Sequence, residues 1–323
     1  MSRKGFYAQV RALQADVEQL QPMLSGGVGA AWYVRTYNGS DTANDGRSWD
    51  SAYKTMAKAI SMAQTGDTIY FRGKVTEEIV GSNLKFDITI VGCLSQHHAD
   101  QPGSGATAVD YGAAVWQSPG SPAGPLMTVR GRGWKFFNIL FDVPTAYAAV
   151  KLQRNALSGL SEYDAGHSGF YGCDFRNGLY GIEDDGGCYN VDVIGCTFET
   201  LDASASAAAI RNTSTSVANP RRWKIRDNFF QSDSSTEGNE RHIVSALVGS
   251  LIRDNVFGTV KGTGKYVDLT GGSGNVVAEN ILGGAYDTGD YVAGTDDLWL
   301  QNAVAVKAVT APDGLTLAVP GAP

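Results

Sequence analysis

Cysteine, positive charge and long apolar runs are all scarce in this chain. Cysteine occurs at four positions only, Cys93, Cys173, Cys188 and Cys196. No two of them form a C-x-x-C pair, and their spacing fits no zinc site. In a protein assembled in the cytosol all four are expected to stay reduced. No apolar stretch approaches the ~20 residues that a helix needs to cross a bilayer, so membrane insertion is not expected. The basic start, Met1 to Gly5, is followed by no apolar h-region, so a secretory leader is not expected either. The formal net charge is −7. Beyond that basic start, Arg221-Arg222, which follow Pro220 in an expected turn, are the nearest approach to a basic cluster, and this argues against a nucleic-acid surface. The four histidines, His97, His98, His167 and His242, are dispersed. They form no Ser-His-Asp or H-x-x-x-H pattern.

What is abundant is glycine, 40 of 323 residues, in a chain that is 43% apolar and 18% charged. That apolar content is enough to bury a core. The glycines follow no G-X-Y period and fall between short β-branched and aromatic runs. Such a texture implies an all-β chain with frequent tight corners.

Residues 1–29 differ from the rest. Phe6, Val10, Leu13, Val17, Leu20 and Leu24 are spaced 4, 3, 4, 3, 4, an a/d heptad stripe. Gly26-Gly27 and Gly29 then give a flexible exit. The segment reads as a helical stalk. The alternative is an amphipathic helix lying on its own domain. Val at a with Leu at d leans towards a dimer.

From Trp32 the pattern changes. Trp32-Tyr33-Val34 is a short β run, and a polar loop follows from Asn38 to Gly46. Met56, Ala59, Ile60 and Ala63 then recur at helical spacing. Gly66-Asp67 turns the chain into Thr68-Ile69-Tyr70-Phe71. The run from Tyr33 to Phe71 resembles the start of pectate-lyase-like right-handed parallel β-helix proteins: a strand, a G-S-D-x-N-D-G-like loop, a T-x-x-x-A-I helix and a G-D-T-I-Y-F-like strand. The loop here is one residue longer than the commonest form. In that family the short helix closes one end of the solenoid, where a stack would otherwise leave an open edge.

Internal similarity supports the same fold. Phe170–Phe175, Val193–Phe198, Ile225–Phe230, Ile252–Phe257 and Val277–Leu282 align without gaps. Their Cys or Asn positions, Cys173, Cys196, Asn228, Asn255 and Asn280, are 23, 32, 27 and 25 residues apart. An irregular period in this range suits coils that stack in register while their turns vary in length. Phe136–Phe141, which contains Asn138, reads as an earlier coil. Stacked asparagines are expected to form an amide ladder, and stacked Cys173 and Cys196 a small buried pair. A second strand passes through Val150, Ile182, Ile210, Val244 and Val267 facing inward. Its outward column then reads Lys151, Glu183, Arg211, Ser245, Asp268. The expected organisation is a stalk at 1–29, a cap at 30–75, a β-helix body at 76–285 and a C-terminal cap or trimerisation tail at 286–323.

No residue is singled out as catalytic, cofactor-binding or metal-binding. Glu183 and Asp268 lie three coils apart, roughly 14 Å, too far for a glycosidase pair. Glu183 sits between Lys151 and Arg211, so an alternating-charge ladder is the simpler reading. Glu183-Asp184-Asp185, followed by Gly186-Gly187, reads as a solvated acidic turn. Asp227 and Asp254 each follow an arginine and are expected to form ion pairs across coils. Asp41, Asn44 and Asp45 offer oxygen ligands for calcium, but lack the rest of an EF-hand and make turns equally well. Trp116, Trp134 and Trp223, with Tyr180 and Tyr189, are either sugar-stacking surfaces or core packing.

A short helix, this cap, a β-helix and no leader together resemble phage tailspikes and related virion spikes. The resemblance implies a homotrimer assembled in the host cytoplasm and carried on the virion. It also implies that residues 1–29 dock on other virion proteins and that the body faces host surface polysaccharide. The alternative on the same fold is a polysaccharide depolymerase, a lyase or glycoside hydrolase.

Overall fold

The computed structural model describes residues 29–82, 84–93, 114–143, 146–153, 165–199, 207–213, 219–231, 241–258, 265–283, 291–305 and 315–317. The heptad stripe and most of 97–125 lie outside them. The chain winds into a parallel β-helix. Each turn of the coil contributes a strand to each of three faces, here sheets A, B and C.

Sheet A begins with Ala31–Arg35 on Thr68–Val75 and continues through Thr89–Gly92, Lys135–Phe137, Gly169–Tyr171, Asp192–Ile194, Lys224–Arg226, Leu251–Arg253, Val276–Ala278 and Leu298–Leu300. Sheet B runs in step beside it and ends on Asn302–Ala305. There Leu315–Leu317 adds an antiparallel strand. Sheet C has eight parallel strands, from Ile79–Val80 to Tyr291–Val292. Stacking thus continues past residue 285.

The inward column is apolar on sheets A and B. On sheet B it reads Trp116, Phe141, Phe175, Phe198, Phe230, Phe257 and Leu282. From Phe141 to Phe257 the rings stack face to face at 4.7 to 5.2 Å. Parallel strands in register force identical side chains to this spacing, which matches offset ring stacking.

The corner between sheets A and B explains the repeat. One residue takes a left-handed conformation: Asn138, Gly172, Gly195, Asp227, Asp254, Glu279 or Gln301, with φ of 51 to 63°. The next residue turns into the core. There Asn228, Asn255, Asn280 and Asn302 form a ladder, each amide donating to the next Oδ1 at 2.9 Å. Each Oδ1 also accepts the backbone N–H of the residue below it, and the series starts on Cys196 N at 2.8 Å. Cys173 and Cys196 are buried free thiols in the same column, as expected. Asn138 is not in that column. Its segment is an earlier coil, but Phe136 pairs with Phe170, so Ile139 faces Cys173 and Asn138 is the left-handed corner residue.

Sheet C agrees with the expected register at Lys151, Glu183, Arg211 and Asp268 and departs from it at one place. Arg211 pairs with Val244, and Val244 with Asp268. The inward residue of that coil is therefore Ile243, and Val244 replaces Ser245 in the outward column. His242, polar by type, is itself buried beside Ile243, which displaced the reading by one.

A single helix stands among the described residues, α1 (Met56–Met62), and it packs on the first strands of sheet A. Met56, Ala59, Ile60 and Ala63 are all buried. The Glu77 carboxylate accepts Met56 N and Ala57 N at its start. The Lys85 ammonium donates to the carbonyls of Ile60, Ser61 and Ala63 at its end. Both ends of a helix too short to stand alone are thus held by side chains from the first coil.

Candidate functional site

The polar loop of the cap is structural. Asp41 accepts Lys54 N, Thr55 N and Thr55 Oγ1 at 2.8, 3.1 and 2.8 Å. Asp45 Oδ1 accepts Arg47 N and Ser51 Oγ at 3.0 and 2.6 Å. These oxygens close turns, and no metal cluster exists among the described residues. A cleft of about 450 Å³ beside Trp32, Arg47 and Asp67 is equally structural. Asp67 is saturated there by Ala30 N, Trp32 Nε1 and Gln64 N. Trp116, Trp134 and Trp223 are core residues whose Nε1 groups donate to the carbonyls of Glu77, Lys85 and Cys188. Arg226 pairs with Asp227 and Arg253 with Asp254, each at 3.0 Å within its own coil. Arg253 also pairs across coils with Glu279. All these side chains are well exposed, so each pair contributes under about 1 kcal/mol.

The densest polar arrangement sits on the middle of sheet C, built by Ala148–Gln153, Tyr180–Asp185 and Ala208–Asn212. Period-two alternation sends Lys151, Glu183, Asp185 and Arg211 outward. Lys151 Nζ lies 3.3 Å from Glu183 Oε1 and 2.8 Å from Asp185 Oδ2. Thr213 Oγ1 donates to Glu183 Oε1 at 2.8 Å. Arg211 lies over the Tyr180 ring at 5.5 Å. Burial lowers the Lys151 pKa, but Asp185 and Glu183 more than offset it, so the ammonium titrates above free lysine. Lys151 is therefore a fixed cation at neutral pH and not a proton acceptor.

The acidic run is not a solvated turn. It is the end of a strand, and Asp184 points into the core at 1% exposure. Burial raises its pKa, against hydrogen bonds from Cys188 N at 3.1 Å and Asn212 Nδ2 at 2.7 Å. Asp184 thus ties two coils together beneath the outward pair Glu183 and Asp185. Glu183 Oε1 is occupied by Lys151 and Thr213. The arrangement presents a hydrogen-bonding strip of acceptors and a cation across neighbouring coils.

The sequence reading missed a second group, on sheet A beside the cap. Tyr33, Tyr70 and Arg72 face outward there, and Trp49 comes over Tyr33 and Arg72 from the segment after the polar loop.

No protein-family model and no curated protein matches the chain. Solved structures do. The chain is similar to XylC in its complex with xylose, at a TM-score of 0.52 and 11% identity, covering 85% of this chain and 68% of that one. A rhamnogalacturonan lyase gives a TM-score of 0.46 at 13% identity, covering 85% and 74%. A mannuronic acid specific polysaccharide family 6 lyase from human gut microbiota gives 0.45 at 15%, covering 75% and 54%. At these identities the likeness is one of fold. The parallel β-helix itself is given by the strand pairing within the three sheets.

Proposed function

We propose that this protein engages a polysaccharide along the outer face of sheet C. The Lys151–Glu183–Asp185 group, with Thr213 beside it, carries the reading. Stacked coils repeat their outward side chains about every 4.8 Å. A linear glycan lying across the strands meets a polar group at each coil. Hydroxyls of the sugar donate to the carboxylates of Glu183 and Asp185, and Lys151 donates to ring or hydroxyl oxygens. The xylose bound to XylC supports a sugar as ligand on this fold.

The setting we propose is a virion spike: a homotrimer attached through residues 1–29 and directed at host surface polysaccharide. Its support is the cap order from Tyr33 to Phe71. A row of exposed apolar residues on sheet B, Phe229, Val256 and Ile281, in register with one another, supports self-association.

A depolymerase is the second reading. It is favoured by one observation, two outward carboxylates sharing one lysine, because acid/base cleavage needs paired ionisable groups on one face. Binding of the purified protein to a panel of bacterial capsule and O-antigen polysaccharides, by surface plasmon resonance, tests the proposal. Retention of at least one acidic or neutral polysaccharide, weakened at least tenfold by Lys151→Ala, is expected. Retention of none, or retention indifferent to Lys151→Ala, would overturn it.

A further inference from the structure

We infer that the outer face of sheet A beside the cap holds a second glycan subsite, and that its ligand is an acidic sugar. The inference rests on the polysaccharide reading for the kind of polymer, but not on the sheet C group for the contact.

The strand Ala31–Arg35 alternates buried and part-exposed residues, with Trp32 and Val34 in the core and Tyr33 and Arg35 outside. Its partner repeats the pattern, with Ile69 and Phe71 inside and Tyr70 and Arg72 outside. Register therefore sets Tyr33 against Tyr70 and Arg35 against Arg72 on one outward face. The Tyr33 and Tyr70 rings stack at 5.6 Å with planes 24° apart. Trp49, from the segment after the polar loop, meets the Tyr33 ring edge-on at 5.0 Å. The Arg72 guanidinium carbon lies 4.4 Å from the centre of the Trp49 ring.

These rings do not serve the core, which Trp32, Phe71 and their neighbours fill without them. They form a part-exposed aromatic platform with a cation at its edge. The platform suits the apolar face of a pyranose ring, and a planar guanidinium suits a carboxylate on the same sugar, which it can grip with two parallel hydrogen bonds. Arg72 pairs with no carboxylate among the described residues, and its Nε has no hydrogen-bond acceptor. A charge held against an aromatic ring without a counter-ion is set for an anion. The rings beside the guanidinium add an apolar contact that a bare phosphate lacks, so the ring-plus-carboxylate chemistry of a uronic acid fits better.

The test is calorimetric binding of a galacturonic acid trimer and a neutral galactose trimer to the full chain. The same polysaccharide panel is run alongside. The acidic trimer should bind at least tenfold more tightly than the neutral one. Arg72→Gln and, separately, Trp49→Ala should each weaken it at least tenfold, while Trp49→Phe keeps most of the affinity. Thermal unfolding of each variant checks that the cap is intact, and Trp49→Ala carries the test if Arg72→Gln does not fold. An acidic trimer that does not bind, or binds both variants as it binds wild type, overturns the subsite. If the panel still retains a polysaccharide, that result leaves the proposed function standing. Displacement of the trimer by equimolar inorganic phosphate would show a site that reads charge alone, which also overturns the sugar assignment.

Discussion

Asn255 is buried and has every hydrogen-bonding position of its amide filled. Its Oδ1 accepts Asn228 N and Nδ2, and its Nδ2 donates to Ile225 O and Asn280 Oδ1. Removing that amide strands donors and an acceptor that water cannot reach. Asn255→Ala should therefore cost at least about 3 kcal/mol in chemical denaturation, since each buried unsatisfied group costs about 1–3 kcal/mol. Arg253→Ala, two residues away in an exposed ion pair, should cost under about 1 kcal/mol. Equal effects would mean that the ladder does not support the corner. His242 makes a different prediction. It lies between Phe230, Phe257 and Tyr266, and burial lowers its pKa from 6.5 to about 4, against the Gly258 carbonyl. The unfolded chain then binds the proton more tightly than the folded one. Stability should be full above about pH 6.5, fall as pH drops towards 4, and lose about 3 kcal/mol over that window at about 1.4 kcal/mol per unit. Between pH 6.5 and 5, before most carboxylates titrate, His242→Phe should remove the slope. An unchanged slope would place its origin elsewhere.

At the scale of elements, the cap and the A–B corner were legible in the sequence, because their signals are local. Helical spacing marked α1, and the Cys/Asn column marked the stacked corners. The ladder's last rung, Asn302, was not picked out, although Trp299–Val304 repeats the spacing of the aligned segments. Neither was a second ladder, in which Ser250 Oγ accepts Trp223 N, Asn275 Oδ1 accepts Ser250 N and Asp297 Oδ1 accepts Asn275 N. Its members differ in type, so no repeat announces them. The sheet C register slipped at Ser245 because a buried histidine looks like a surface residue. The Trp49–Arg72 platform is non-local: a loop residue and a strand residue meet only after the first coil closes. The left-handed corner offers an element-level test. Gln301 sits there at φ 51°, where a side chain costs roughly 1–2 kcal/mol and glycine nothing. Gln301→Gly should raise stability by about 1 kcal/mol, after its greater freedom in the unfolded chain is deducted. A loss of stability would mean that the Gln301 side chain holds the end of the stack.

At the scale of the molecule, the stacked coils share one core and its ladders, and the polar groups singled out above lie on the outside of two faces. The sheet C strip has a lysine fixed as a cation by two carboxylates, over a buried aspartate that locks neighbouring coils. On the proposed reading, such a surface would meet a glycan with little side-chain freedom left to lose. Whether it binds or also cuts turns on Glu183. As a binding contact, Glu183→Gln keeps a hydrogen-bonding group and changes affinity only a few fold. As an acid or base, the same change removes about a hundredfold or more of rate. The direct measurement is a product time course on the polysaccharide that the protein retains, for wild type and Glu183→Gln, followed by chromatography of released oligosaccharides. The account predicts retention by both proteins and no release of oligosaccharides by either. Release by wild type that falls about a hundredfold in Glu183→Gln would contradict it and make the sheet C face an active site.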